Sequence, residues 1–219
     1  MTPLAMGLVL VAGAAAAVNW AAVWSGGTHG PALERVSKPL VLIVLLALAV
    51  LLPRGAHPEV RPWLLVALAA SLVGDVLLLP PGRFVGGLVA FLVAHVAYLA
   101  AFVQLPGSDW GAVAGVTVAF AMIAFVGRDI VAAARPAGLR VPVAVYLVVI
   151  CGMATTATWT LLPAAIAGAW LFVASDAILG WDRFAARPAA TEREARLRHL
   201  AVMVTYHLGQ ALLVLALAA

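Results

Sequence analysis

The chain has 219 residues, of which 65% are hydrophobic and only 10% are charged. Soluble domains carry about 25% charged residues, so this composition excludes a protein surface built for water. The formal net charge of +4 does not indicate a nucleic-acid partner, because the basic residues lie in short segments between apolar runs. The single cysteine, Cys151, excludes a disulfide framework. The composition therefore predicts an integral membrane protein.

Apolar segments bounded by proline, glycine and charged residues recur along the whole chain. Most of them approach or exceed the roughly 18 residues that indicate a transmembrane helix. They predict an all-α fold, a polytopic bundle of about eight spans in one transmembrane domain. Around Pro163 the sequence is compatible both with a turn between two spans and with a kink inside one helix. The predicted spans are 3–24, 39–52, 63–79, 84–105, 110–127, 141–160, 163–180 and 199–218.

The distribution of positive charge predicts the orientation of the bundle. With eight spans, the two termini share one side with the loops after the second, fourth and sixth spans. Of the 13 lysines and arginines, only Arg54 and Arg61 fall on that side. Because positive loops stay in the cytoplasm, we expect both termini to lie outside a bacterial-type inner (plasma) membrane.

Two segments of the chain echo each other weakly. GDVLLL surrounds Asp75 and SDAILG surrounds Asp176, and a basic residue with a proline opens the preceding span in both halves. This pattern is compatible with a four-plus-four internal repeat.

Asp75 and Asp176 are the most informative polar residues, because an acid within a span costs about 2.5 to 3.5 kcal/mol on insertion scales. Each lies about five residues before the predicted cytoplasmic end of its span, which is roughly 7 Å at 1.5 Å per residue. The sequence therefore predicts that both carboxyl groups belong to one site in the cytoplasmic leaflet. The alternative is that each pairs with a basic residue near the interface.

Lys38 is a candidate phosphate ligand. It precedes Pro39, and a proline is favoured at the first position of a helix, so we expect the second helix to begin here. The N–H groups and the dipole at a helix N-terminus attract anions, and a lysine would add to that attraction. The alternative is an interfacial lysine that extends its ammonium group to water.

Further polar residues lie within the predicted spans and complete the candidate site. Structural hydrogen bonding between helices is the alternative for each of them. A zinc site built from the two aspartates and two histidines is disfavoured, because no histidine pair has a ligand spacing. We therefore predict no metal and no other cofactor. The candidates for substrate binding, besides Lys38, are His95, Tyr98, Tyr146, Tyr206, His207, Gln210 and Asn19.

Several short motifs, in order, resemble the YhhN/TMEM86 family of lysoplasmalogenases. The resemblance runs from the second span to the C-terminus. The motifs are KPL, GDVLLL, FLVAHVAYL, PVAVYLVVICGM, LFVASDAILGWDRF and VMVTYHLGQALL.

The resemblance implies a membrane hydrolase that cleaves the vinyl ether bond of a lysophospholipid. The products would be a fatty aldehyde and a glycerophospho-base. This chemistry needs an acid and a base, so we expect Asp75 and Asp176 to form the catalytic pair, with Lys38 on the phosphate. Two alternatives remain from the residues themselves: a small proton-coupled transporter and a non-catalytic lipid-binding protein.

Overall fold

The computed structural model describes residues 2–27, 29–53, 55–189 and 191–218. Over these residues the chain forms helices and no strand, which confirms the all-α fold class. Seven of the helices are long and apolar enough to cross a membrane. The remaining helix is α2, which carries Glu34, Arg35 and Lys38 in its first turns. The helices are α1 (Pro3–Ser25), α2 (Gly30–Leu51), α3 (Val60–Leu78), α4 (Phe84–Phe102), α5 (Asp109–Ala133), α6 (Arg140–Trp159), α7 (Pro163–Ala185) and α8 (Glu192–Ala218).

Local chemistry explains where several helices begin and end. Thr2 caps α1 by accepting a hydrogen bond from the backbone N–H of Ala5 at 3.2 Å. Gly26 ends α1 with a φ of 57°, a conformation that glycine adopts without strain. Leu162 is extended and Pro163 occupies the first turn of α7, so a turn separates α6 from α7. Arg54, which entered the charge comparison, lies outside the described residues.

The prediction that the second helix begins at Lys38 and Pro39 is wrong. Helix α2 begins at Gly30, and Pro39 lies inside it. Gly30 and Pro31 provide a better start, and an internal proline removes only one backbone hydrogen bond from a helix held by its neighbours. Lys38 therefore lies in the third turn of α2, and the helix N-terminus does not explain its role.

Three other helices extend beyond the predicted spans. The span at 110–127 continues through a π-helical turn, Ile123–Gly127, to Ala133. The span at 163–180 continues through a second π-helical turn, Trp181–Ala185. Helix α8 begins at Glu192 instead of 199. Basic residues that the sequence placed in loops consequently lie on helix ends.

Consecutive helices pack as neighbours in the pairs α1 with α2, α3 with α4, α5 with α6, and α7 with α8. Helix α8 also contacts α1, α2 and α3, and α6 also contacts α4. A Cβ atom on Gly168 of α7 would lie 3.0 Å from the carbonyl oxygen of Gly209 on α8, so the two backbones approach closely. This close approach lets side chains of α7 and α8 meet those of α3 and α4 in the interior.

Candidate active site

Asp75 is fully buried and contacts polar groups from two other helices. Lys38 Nζ on α2 lies 3.3 Å from Asp75 Oδ1, and both side chains are almost excluded from the surface. The hydroxyl of Tyr206 on α8 donates to Asp75 Oδ2 at 2.9 Å. A buried carboxylate needs a nearby opposite charge and hydrogen bonds, and this arrangement supplies both. The structure thus brings together three of the candidate residues, Lys38, Asp75 and Tyr206, and for Asp75 it shows the pairing with a basic residue that the sequence analysis gave as the alternative.

Tyr98 and Gln210 extend this cluster deeper into the bundle. The Tyr98 hydroxyl on α4 donates to Gln210 Oε1 on α8 at 2.5 Å, and both side chains are fully buried. Gln210 lies one turn after Tyr206 on the same face of α8. The bond therefore ties α4 to α8 beside Asp75.

Asp176 belongs to a second cluster with different partners. The Tyr146 hydroxyl on α6 donates to Asp176 Oδ2 on α7. His95 Nε2 on α4 lies 3.2 Å from the same carboxylate oxygen and 2.9 Å from the Tyr146 hydroxyl oxygen. The His95 side chain is fully buried, whereas 14% of the Asp176 side chain is exposed. Asp176 is thus the more accessible of the two acids.

The aromatic ring of Phe172 lies between the two clusters. Its centroid is 4.6 Å from that of His95 and 5.3 Å from that of Tyr206. Phe91 packs edge-on against both Phe172 and Tyr206. The sequence analysis missed Phe172. The available signal was its position four residues before Asp176, which puts both on one face of α7.

An apolar cavity opens beside Asp176 and Tyr146. It encloses about 680 Å³, part of which is open to the surroundings. Its walls come from α3 to α7, and Met122, Leu147 and Ile150 are among its lining residues. The apolar lining suits an alkyl chain.

A charged vestibule adjoins this cavity, and both share Leu78, Phe84 and Leu179 as lining residues. Lys38 is part of the vestibule wall. The other charged or titratable residues there are Glu34, Asp182, Arg183 and His199. The vestibule thus reaches the side chain of Lys38, of which 7% is exposed.

Glu34 lies before the apolar stretch of α2 and pairs with the start of α8. His199 Nε2 is 2.9 Å from Glu34 Oε1. Burial raises the pKa of the Glu34 carboxyl, but the hydrogen bond from His199 and the charges of His199 and Lys38 lower it, and the net pKa is lowered.

Asn19 and His207 have partners outside both carboxylate clusters. Asn19 Nδ2 donates to Ser37 Oγ at 3.2 Å. Trp20 Nε1 donates to His207 Nδ1 at 3.1 Å. Over the described chain, neither residue has a hydrogen bond to an aspartate.

The aspartates and histidines considered for a zinc site also have separate partners. Within the described ranges, no three His, Cys, Asp or Glu side chains form a group suited to a metal ion. Asp75 is engaged by Lys38 and Tyr206, and His207 by Trp20.

Comparison with known proteins identifies the family. Lysoplasmalogenase of Mycobacterium bovis (strain ATCC BAA-935 / AF2122/97) is 34% identical over 168 residues, which is 69% of this chain and 60% of that protein. Human lysoplasmalogenase TMEM86B is 31% identical over 170 residues, covering 76% of this chain and 67% of the relative. The rat protein of the same name is 31% identical over 183 residues, covering 82% and 70%. No solved structure matches the chain.

The aligned region thus spans 60% of the length of the mycobacterial relative. The YhhN family matches residues 33–217, which include both aspartates and nearly all the candidate site residues. The chain is therefore a member of the YhhN family of integral membrane proteins.

Proposed function

We propose that the chain hydrolyses the vinyl ether bond of lysoplasmalogens. The observation that carries this proposal is the position of Asp176, a carboxyl group bonded to Tyr146 and His95 at the wall of an apolar cavity. An acid beside a space for an alkyl chain is what vinyl ether hydrolysis requires. The relatives named lysoplasmalogenase support the same reaction.

We assign the proton-donor role to Asp176. The alkyl chain would occupy the cavity, so that the alkene carbon remote from the ether oxygen faces the Asp176 carboxyl group. Transfer of the Asp176 proton to that carbon breaks the alkene π bond and leaves an oxocarbenium ion. His95 and Tyr146 would hold the resulting carboxylate in place, because both contact Asp176 Oδ2.

Water then completes the reaction. Its oxygen forms a bond to the carbon next to the ether oxygen, and the proton that water loses returns to Asp176. The hemiacetal formed in this way collapses to a fatty aldehyde and a free glycerol hydroxyl group. One water is consumed and the acid is regenerated, as in carboxylate-catalysed glycoside hydrolysis.

Asp75 would act as the ionised member of the pair. Lys38 at 3.3 Å compensates its negative charge, and Tyr206 donates to its second oxygen. The negative charge of Asp75 would stabilise the oxocarbenium ion through space, because charges interact more strongly in the low dielectric of a buried site than in bulk water.

The vestibule is the proposed site of the head group. Lys38 and Arg183 offer positive charge to a phosphate, next to the apolar cavity for the chain. The positive charge of the predicted cytoplasmic loops supports placing this site toward the cytoplasmic leaflet, with both termini outside.

Mass spectrometry of purified protein incubated with a lysoplasmalogen tests the proposal. We expect release of a fatty aldehyde and of the glycerophospho-base from the vinyl ether lipid, and none from the matched alkyl ether lipid, which has no alkene to protonate. Asp176→Asn should abolish the release in protein that remains folded. Aldehyde release that persists at the wild-type rate in Asp176→Asn would refute the assignment.

A further inference from the structure

The charged vestibule contains negative as well as positive side chains. Lys38 and Arg183, the residues proposed to contact the phosphate, supply the positive charge, and Glu34 and Asp182 supply the negative charge. Apart from His199, the other described residues that line the vestibule are apolar. Carboxylates repel a phosphate, so they would weaken a site that bound a phosphate alone. The two acids therefore favour a head group that carries a positive charge as well.

The two carboxylates differ in their partners. Asp182 Oδ1 accepts a hydrogen bond from Arg198 Nη1 at 2.8 Å. Glu34 Oε1 lies 2.9 Å from His199 Nε2. An arginine compensates a carboxylate at every physiological pH, whereas a histidine does so only while it is protonated. Glu34 is therefore the better candidate for contact with a cation on a ligand.

Glu34 is placed to meet such a ligand. Its side chain is 20% exposed, and it lines the vestibule together with His199 and Lys38. Burial raises the pKa of its carboxyl group, but the influence of His199 and Lys38 outweighs burial and the net pKa is lowered from 4.5, so Glu34 is ionised at neutral pH. A carboxylate accepts about four hydrogen bonds, and the contact with His199 leaves capacity for another donor.

The positions of Glu34 and Lys38 give the vestibule wall a polarity. The two residues are four apart on α2, which puts them on one face and one turn apart. Lys38 Nζ contacts Asp75 in the bundle, whereas Glu34 contacts His199 near the start of α8. Positive charge thus lies beside the proposed reaction site and negative charge lies one turn farther along α2. A phospholipid with a terminal ammonium has the matching order, phosphate and then ammonium, counted from the glycerol.

The lining of the vestibule distinguishes a primary ammonium from a quaternary one. A quaternary ammonium has no N–H group, and proteins bind it with the faces of several aromatic rings. Among the described lining residues only Phe84 has a benzene-type ring, and the Arg183 guanidinium carbon lies over that ring, 5.1 Å from its centroid. Phe184 makes a T-shaped contact with the same ring, with centroids 5.6 Å apart. The Glu34 carboxylate, by contrast, suits the N–H donors of a primary ammonium.

We propose that the vestibule selects lysolipids with a phosphoethanolamine head group over those with phosphocholine, and that Glu34 determines this specificity by accepting hydrogen bonds from the primary ammonium. The assignment of the vestibule to the head group rests on the proposed function. The preference itself can be measured without turnover.

Competition between lipids that cannot be hydrolysed tests the proposal. Two alkyl ether lysolipids with the same saturated chain, one with ethanolamine and one with choline, are mixed in equal amounts with the purified protein in detergent. Native mass spectrometry then gives the ratio of the bound species. We expect the ethanolamine lipid to be favoured about fivefold to tenfold, the effect of a partly exposed hydrogen bond to a charged group. In the series of N-methylated lipids, the main loss of binding should come with removal of the last N–H group.

Variants of the two acids assign the preference to a residue. Glu34→Gln keeps the size of the side chain and removes its charge, so it should reduce the preference to about twofold or less. Asp182→Asn removes a carboxylate from the same vestibule and is the matched control, which should keep the preference. Glu34→Asp keeps the charge on a shorter side chain and should show an intermediate preference, so the test does not depend on the stability of Glu34→Gln.

Equal binding of the two head groups by the wild type, or an unchanged preference in Glu34→Gln, would overturn the proposal. An equal loss of preference in Asp182→Asn would also overturn it, because the total charge of the vestibule would then be the cause. Aldehyde release from alkenyl lysolipids separates this inference from the proposed function. An inactive protein with the expected preference contradicts only the function. An active protein that binds both head groups equally contradicts only the role of Glu34.

Discussion

Lys38 Nζ and Asp75 Oδ1 form an ion pair 3.3 Å apart in the interior of the bundle. The two residues are on different helices, and their side chains have almost no access to the surroundings. Removing one partner leaves the other charge without compensation, whereas removing both does not.

Asp75→Asn should therefore destabilise the protein by about 3 to 5 kcal/mol, because it leaves the Lys38 ammonium buried without its counter-charge. Thermal unfolding in detergent measures the effect. The double variant Lys38→Met with Asp75→Leu should be more stable than Asp75→Asn and still inactive. Glu59→Gln, which alters an exposed pair with His57, is the control. A double variant that is no more stable than Asp75→Asn would argue against the coupling.

Asp176→Asn should have the opposite profile, with a large effect on turnover and a small one on stability. Asp176 is partly exposed at a cavity wall and has no lysine or arginine partner among the described residues. Loss of a general acid lowers kcat by about 100-fold to 10,000-fold. Tyr146→Phe removes one hydrogen bond to the same carboxylate and should lower kcat by about tenfold. Kinetics of aldehyde release, with unfolding temperatures alongside, distinguishes the two effects.

Gly111→Ala should destabilise the contact between α5 and α6. A Cβ atom on Gly111 would lie 2.6 Å from the carbonyl oxygen of Thr158, which belongs to the backbone and has little freedom to move. Overpacking of this kind costs about 1 to 3 kcal/mol. Gly13→Ala, which meets no atom within 4 Å, is the control and should unfold at the wild-type temperature or above. Equal unfolding temperatures for the two variants would contradict the close packing.

The ion pair of Glu34 and His199, which lies at the vestibule, predicts how the stability of the folded protein depends on pH. The pKa of Glu34 is lowered from 4.5 in the folded protein, so its contribution to stability is present above about pH 4.5. That contribution is lost as the pH falls through the lowered value, because the carboxylate is then protonated. Glu34→Gln should thus lower stability at neutral pH and reduce its further loss in acid. Unfolding temperatures measured between pH 3 and 7 test this, and parallel curves for the two proteins would count against it.

The orientation predicted from charge can be tested with single cysteines in a Cys151→Ala background. Pro106→Cys lies between α4 and α5 on the predicted outer side, and Thr191→Cys lies between α7 and α8 on the predicted inner side. In intact cells an impermeant maleimide should label Pro106→Cys alone. After permeabilisation it should label both. The reverse pattern would invert the topology.

The residue types in the chain predicted which residues form the site better than they predicted which of these residues contact each other. Intramembrane aspartates, tyrosines and histidines are costly in lipid, so their presence alone marked them as candidates. Their sorting into two clusters was not predictable, because the contacts join residues far apart in sequence, such as Lys38 with Asp75 and Asp75 with Tyr206. Phe172, which lies between the clusters, is one apolar residue among many in the sequence.

Pro39 shows why local signals failed at α2. A proline is favoured at the first position of a helix, yet the helix that contains Pro39 begins at Gly30. Packing of α2 against its neighbours outweighs one missing backbone bond, and that packing is not visible in a short segment.

The amino-acid sequence by itself determined that this protein is a bundle of membrane helices of the YhhN family, because hydrophobic length and motif order are properties of the linear chain. Only the tertiary structure decided that Asp75 is enclosed with Lys38 while Asp176 faces an apolar cavity. The physical reason is that burial and charge compensation depend on which helices meet, and no local pattern specifies those meetings.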